Sequence, residues 1–127
     1  MLYRKMLKSK IHRAHITHAN LDYEGSITIA TDLLEIANIL PNEAVWIWNV
    51  SSGARFETYA IAGHRYSKDI CVNGAAAHLV TPGDIVIIAS FCNLEEEQCH
   101  SHKPRVIFLD ATNSYQEMRA ELLPDLN

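Results

Sequence analysis

A chain of 127 residues with 48% hydrophobic and 20% charged side chains has the length and composition of one globular domain, able to bury a core without disulfides or metal. Its net charge of −4 offers no basic face for nucleic acid or an anionic membrane, and the longest apolar run, residues 85–89, is far too short to cross a bilayer. Three cysteines without a C-x-x-C pair point to reduced thiols and a cytoplasmic protein.

In chain order, the basic opening MLYRKMLKSK lacks the apolar segment of a signal peptide. IHRAHIT (11–17) and SITIA (26–30) predict strands, and Gly25 at the mouth of the second marks a bend or a close backbone approach. TDLLEIANIL (31–40) predicts a helix, with Thr31 or Asp32 as N-cap, Glu35 completing the signal and Pro41 beyond the end. VWIWNV (45–50) and RFETYAIA (55–62) predict a hairpin across Ser51-Ser52-Gly53. DICVN (69–73) predicts a strand that leads into one helical turn from Gly74 to His78. Thr81-Pro82-Gly83-Asp84 then turns into the apolar strand IVIIASF (85–91). An acidic loop at 95–97 precedes a last strand, RVIFLD (105–110), and the tail from Ala111 is only loosely specified. Short strands with few helical turns imply a mainly β fold, a small closed barrel in one domain spanning 1–127.

Several residue groups invite a chemical reading. His12, His15 and His18 recur every third residue, but in a strand His15 faces away from the other two, so no metal site is expected. Cys92, Cys99, His100 and His102 fit no common zinc spacing. Trp46 and Trp48 share a strand face and read as core or subunit contact. In the strand 55–62, Arg55, Glu57 and Tyr59 share one face, and Phe56, Thr58 and Ala60 the other. The small residues Gly74, Ala75 and Ala76 leave backbone N–H groups open to a carboxylate. Arg55 and Lys10 are each able to clamp an anion.

Longer motifs resemble one family. Lys10-Ile11-His12-Arg13, Thr17-His18-Ala19 and Asp22-Tyr23-Glu24-Gly25-Ser26 resemble the N-terminal region of the pyruvoyl-dependent aspartate decarboxylases. The similarity continues through Ile47-Trp48-Asn49-Val50, Gly53-x-Arg55-Phe56-x-Thr58-Tyr59-Ala60-Ile61, Val72-Asn73-Gly74-Ala75-Ala76-Ala77-His78 and the run from Gly83 to Phe91. It covers about residues 4 to 91.

The resemblance implies a double-psi β-barrel with a few short helices, assembled as a homotetramer with active sites at subunit boundaries. It also implies self-cleavage between Gly25 and Ser26 into chains 1–25 and 26–127. The Ser26 hydroxyl attacks the Gly25 carbonyl, and elimination and hydrolysis leave a pyruvoyl group on residue 26. That group forms a Schiff base with L-aspartate and accepts the electrons released with CO2. No ordinary side chain is such a sink, and the chain shows no pyridoxal phosphate fold. By the same resemblance Tyr59 protonates the product carbon, and Lys10, Arg55, Thr58, Gly74, Ala75 and Ala76 bind substrate. Thr58 is also the candidate for stabilising the oxyanion of cleavage, and His12 and Asn73 support. The expected activity supplies β-alanine for pantothenate and coenzyme A, and a helper protein for maturation is left open. Two other readings stand beside it: an uncleaved, non-catalytic barrel that binds a small carboxylate or serves in an assembly, and a pyruvoyl decarboxylase for another acidic amino acid.

Overall fold

The computed structural model describes residues 1–125. It is mainly β, with nine strands in one mixed sheet, two short α-helices and a 3-10 helix, an arrangement compatible with a small barrel. The strands are β1 (Tyr3–His15), β2 (His18–Asn20), β3 (Ile27–Ala30), β4 (Ala44–Asn49), β5 (Arg55–Gly63), β6 (Cys71–Asn73), β7 (Ile85–Glu95), β8 (Arg105–Leu109) and β9 (Tyr115–Met118). Their order is β2-β6-β3-β5-β4-β7-β1-β8-β9. Three pairs are parallel: β1 with β8, β2 with β6, and β3 with β5. Register stacks Ile11, Ile88, Ile47 and Phe56 across four adjacent strands, and all four are buried, so this face of the sheet is the core. The opposite face carries Trp46, Trp48, Arg55 and Phe91, and neither tryptophan belongs to the core.

The local signals largely hold. The β4–β5 hairpin closes where Gly53 adopts φ 83° and donates to Asn49 O at 2.7 Å. Asp84 N returns to Thr81 O at 2.9 Å, making the expected turn, with Gly83 at φ 98°. Asn73 leads directly into the 3-10 helix Gly74–Leu79, the expected helical turn.

Other expectations are corrected. The helix α1 (Thr31–Ala37) ends three residues early, where Asn38 turns left-handed at φ 57°. Its N-cap is Ala30, without a side-chain cap: the Thr31 hydroxyl donates to Gly63 O, and Asp32 accepts from Tyr66 N. β1 reaches back to Tyr3 because β7 extends to Glu95 and pairs with it. The acidic stretch is therefore no loop: Glu96 opens the short helix α2 (Glu96–Cys99) and accepts both forks of Arg4, at 2.6 and 3.0 Å. The tail is also better specified than its sequence suggests. Asn113, 2% exposed, donates to His15 O and Lys68 O and accepts from His15 N, and β9 then pairs with β8.

Candidate active site

The expected strand at 26–30 begins at Ile27, and Ser26 stands just outside it with φ 98°. A serine held in that region costs about 1–3 kcal/mol and persists only where its surroundings fix it. Three contacts do so here. Asn73 N donates to Ser26 O at 2.9 Å, and Asn73 Nδ2 donates to Ser26 Oγ at 3.2 Å. Gly74 presses on the preceding loop, where an added Cβ would lie 2.7 Å from Gly25 N, 2.9 Å from Gly25 Cα and 3.0 Å from Tyr23 O. With φ 72° and no side chain, Gly74 starts the 3-10 helix directly against the Gly25-Ser26 corner. Ser26 is 1% exposed.

β3 brings a second element to the same corner. Ile27 pairs with Ala60 of β5, so Tyr59 lies one residue before the rung that follows Ser26. A Cβ on Gly25 would sit 3.8 Å from both Cε1 and Oη of Tyr59, which is ordinary contact. Packing therefore demands glycine at 74 and not at 25. Thr58 is half-buried on the core-facing side of β5, two residues before Ala60.

The charged candidates lie elsewhere on the chain. Lys10 Nζ pairs with Glu121 at 3.0 Å, in a 210 Å³ cavity that also holds His12, Phe108 and Arg119. Burial, and then the neighbouring cations Lys10 and Arg13, hold the His12 imidazole below its ordinary pKa. Arg55 lies in a separate 410 Å³ depression, its guanidinium carbon 5.7 Å from the Trp48 ring centroid. Ala75 is exposed and Ala76 half-buried on the 3-10 helix. One chain thus brings together Gly25, Ser26, Tyr59, Asn73 and Gly74, and keeps Lys10 and Arg55 apart from them. His12, His15 and His18 do not converge, and among the described residues no group of three or more His, Cys, Asp or Glu could hold a metal ion.

Thr28 and Cys71 also belong to this corner. Asn73 Nδ2 donates to Thr28 Oγ1 at 3.2 Å, and Cys71 Sγ donates to Asn73 Oδ1 at 3.1 Å. Thr28 carried a signal, since it shares a strand face with Ser26 by alternation. Cys71 carried none, because its place opposite Thr28 comes from the β3–β6 pairing. Thr28, Cys71 and Asn73 line an 880 Å³ groove beside the corner, together with Tyr23 and Glu24.

A family model described as aspartate decarboxylase matches residues 2–116, from the start of the chain into β9. A protein named Aspartate 1-decarboxylase from Legionella pneumophila (strain Paris) is 66% identical over 121 residues, 95% of this chain and 91% of its own. Proteins of the same name from Syntrophomonas wolfei and Thermoanaerobacter pseudethanolicus are 56% and 55% identical, over 92% and 88% of this chain and 99% and 96% of theirs.

Proposed function

The chain belongs to the aspartate decarboxylase family, and from that premise we propose that it processes itself at Gly25-Ser26 and then decarboxylates L-aspartate to β-alanine and CO2. The observation that carries this reading is Ser26 itself, a buried serine at φ 98° whose hydroxyl accepts a hydrogen bond from Asn73. A serine hydroxyl has two lone pairs and one proton, and the bond from Asn73 occupies one lone pair, leaving the other to attack. Accepting from Asn73 leaves the Ser26 proton available for transfer elsewhere. Ser26 Oγ attacks the Gly25 carbonyl carbon, the amide becomes an ester, and elimination frees the Gly25 carboxylate and leaves dehydroalanine at 26. Addition of water and loss of ammonia convert that residue to a pyruvoyl group. Gly74 holds the Gly25 backbone in place during attack, and Thr58 is the residue we assign to the oxyanion.

The pyruvoyl group supplies an electron sink for the bond broken at the substrate α-carbon. The residues at the corner suit it: Asn73 N holds the residue-26 carbonyl, and Tyr59 Oη lies 3.8 Å from where a Cβ of Gly25 would sit. We assign Tyr59 to deliver a proton to the product carbon, since a phenol is a competent acid toward so basic an atom.

Substrate binding requires a neighbour. Arg55 lies four residues from Tyr59 on β5, about 13 Å of strand, and leans on Trp48. With its guanidinium over the Trp48 ring, Arg55 is turned to its own depression rather than to the Gly25-Ser26 corner. We therefore propose a cytoplasmic homotetramer in which Lys10 or Arg55 meets the Gly25-Ser26 corner of another subunit, with Gly74, Ala75 and Ala76 offering backbone N–H groups.

The test is incubation of purified protein with aspartate labelled with carbon-13 at C1. Labelled CO2 and unlabelled β-alanine support the proposal. Release of CO2 from the side-chain carboxylate, giving alanine, or turnover of glutamate alone, would reassign the reaction.

A further inference from the structure

Asn73 is 4% exposed, and its side-chain amide makes three of its four possible hydrogen bonds. Nδ2 donates to Ser26 Oγ and to Thr28 Oγ1, both at 3.2 Å, and Oδ1 accepts from Cys71 Sγ at 3.1 Å. An amide can rotate to exchange its oxygen and nitrogen, and hydroxyls serve as either donor or acceptor. Ser26 and Thr28 therefore tolerate both orientations. Cys71 does not: its S–H donates to the amide oxygen, and its sulfur is a poor acceptor for an N–H.

We infer that Cys71 is a positioning residue for self-cleavage, fixing the Asn73 amide so that it donates to Ser26 Oγ. In the rotated orientation the Ser26 hydroxyl would donate to the Asn73 amide oxygen, too weak a base to take the proton, and the nucleophile would stay protonated. Strand pairing makes the arrangement possible, because Cys71 lies directly opposite Thr28 and its side chain shares that face with Asn73. Burial, and then Asp69, push the Cys71 thiol pKa up, so the thiol keeps its proton in neutral solution.

The inference rests on the proposed cleavage, and it confines the effect to that step. Ser26 Oγ leaves residue 26 with the Gly25 carboxylate, so Cys71 no longer acts through it afterwards. The experiment follows freshly translated full-length chain by intact mass, comparing the parent and Cys71→Ala. Cys71→Ala should slow cleavage by roughly three- to tenfold, the worth of one neutral hydrogen bond. Once fully cleaved, Cys71→Ala should turn over aspartate with kcat and KM unchanged. A parent that never cleaves overturns the cleavage reading itself. If the parent cleaves, parental rates in Cys71→Ala overturn the role of Cys71. So does an equal loss of turnover in the matured alanine variant.

Discussion

Gly74 and Gly25 meet backbone to backbone: a single added carbon on Gly74 would stand 2.7 Å from the Gly25 amide nitrogen. The contact joins the start of the 3-10 helix to the bond that is proposed to break. It also ranks the two glycines, because a Cβ on Gly25 meets only Tyr59, at 3.8 Å.

Gly74→Ala should therefore damage both fold and cleavage. The left-handed φ alone costs about 1–2 kcal/mol with a side chain present, before the clash is added. The melting temperature should fall by roughly 3–10 °C, with cleavage slowed in the same protein. Gly25→Ala should melt within about 2 °C of the parent yet cleave slowly, because its Cβ crowds the attack rather than the packing. Equal melting temperatures for all three proteins would remove Gly74 from this role.

Tyr59→Phe should cleave at the parental rate and then lose about 100-fold or more of its β-alanine turnover, the usual scale of a general acid. The hydroxyl is needed only after the chain has matured. Separate assays of cleavage and kcat check this, and a fully active variant would move proton delivery to another group.

Arg55 tests the subunit boundary. Arg55→Ala should cleave normally while kcat/KM for aspartate falls at least about tenfold, and Arg55→Lys should recover part of the loss. Co-expressing Arg55→Ala with Ser26→Ala should restore activity to roughly a quarter of the parent for random assembly, because one subunit supplies residue 26 and the other supplies Arg55. Mixed oligomers with no restored activity would return Arg55 to the site of its own chain.

Much of this was legible because it is local. Gly53 and Gly83 mark turns that need no distant partner, and Asn73-Gly74 announces a sharp change of direction. The helix begins at Thr31 as expected, but its N-cap differs because Thr31 and Asp32 are engaged by Gly63 and Tyr66, tertiary partners that a cap motif cannot reveal. Tyr3 and Glu95 lie 92 residues apart, so nothing in either neighbourhood announces the long β1–β7 pairing. Ser26, Tyr59 and Gly74 come together as the family motifs imply. Lys10 and Arg55 do not, because each lies in a depression of its own that strand pairing, not its sequence neighbourhood, determines. Cys71 was invisible for the same reason.

Glu43 governs part of the acid stability. Burial alone would raise its pKa, but the Ser90 hydroxyl, Leu40 N and Lys8 outweigh that and hold it below the ordinary carboxylate value. A carboxylate with a lowered folded pKa stabilises the protein above its unfolded pKa, about 4.3, and that contribution is lost as pH falls through the folded value. Glu43→Gln should melt a few degrees lower at pH 7, and the gap to the parent should narrow as pH drops below about 4. Melting curves across that range check the sign, and a gap that widens in acid would contradict it.

The most direct test of the central claim is the intact mass of the purified parent beside Ser26→Ala. The parent should appear as two chains, residues 1–25 and residues 26–127. The larger should be about 17 Da lighter than a serine-ended chain, because its terminal nitrogen leaves as ammonia and the hydroxyl oxygen lost on elimination is replaced by a ketone oxygen from water. Ser26→Ala should give one full-length mass and melt cooperatively. A parent that remains a single full-length chain after prolonged warm incubation, with and without cell extract, would contradict the claim that Gly25-Ser26 makes its own electron sink.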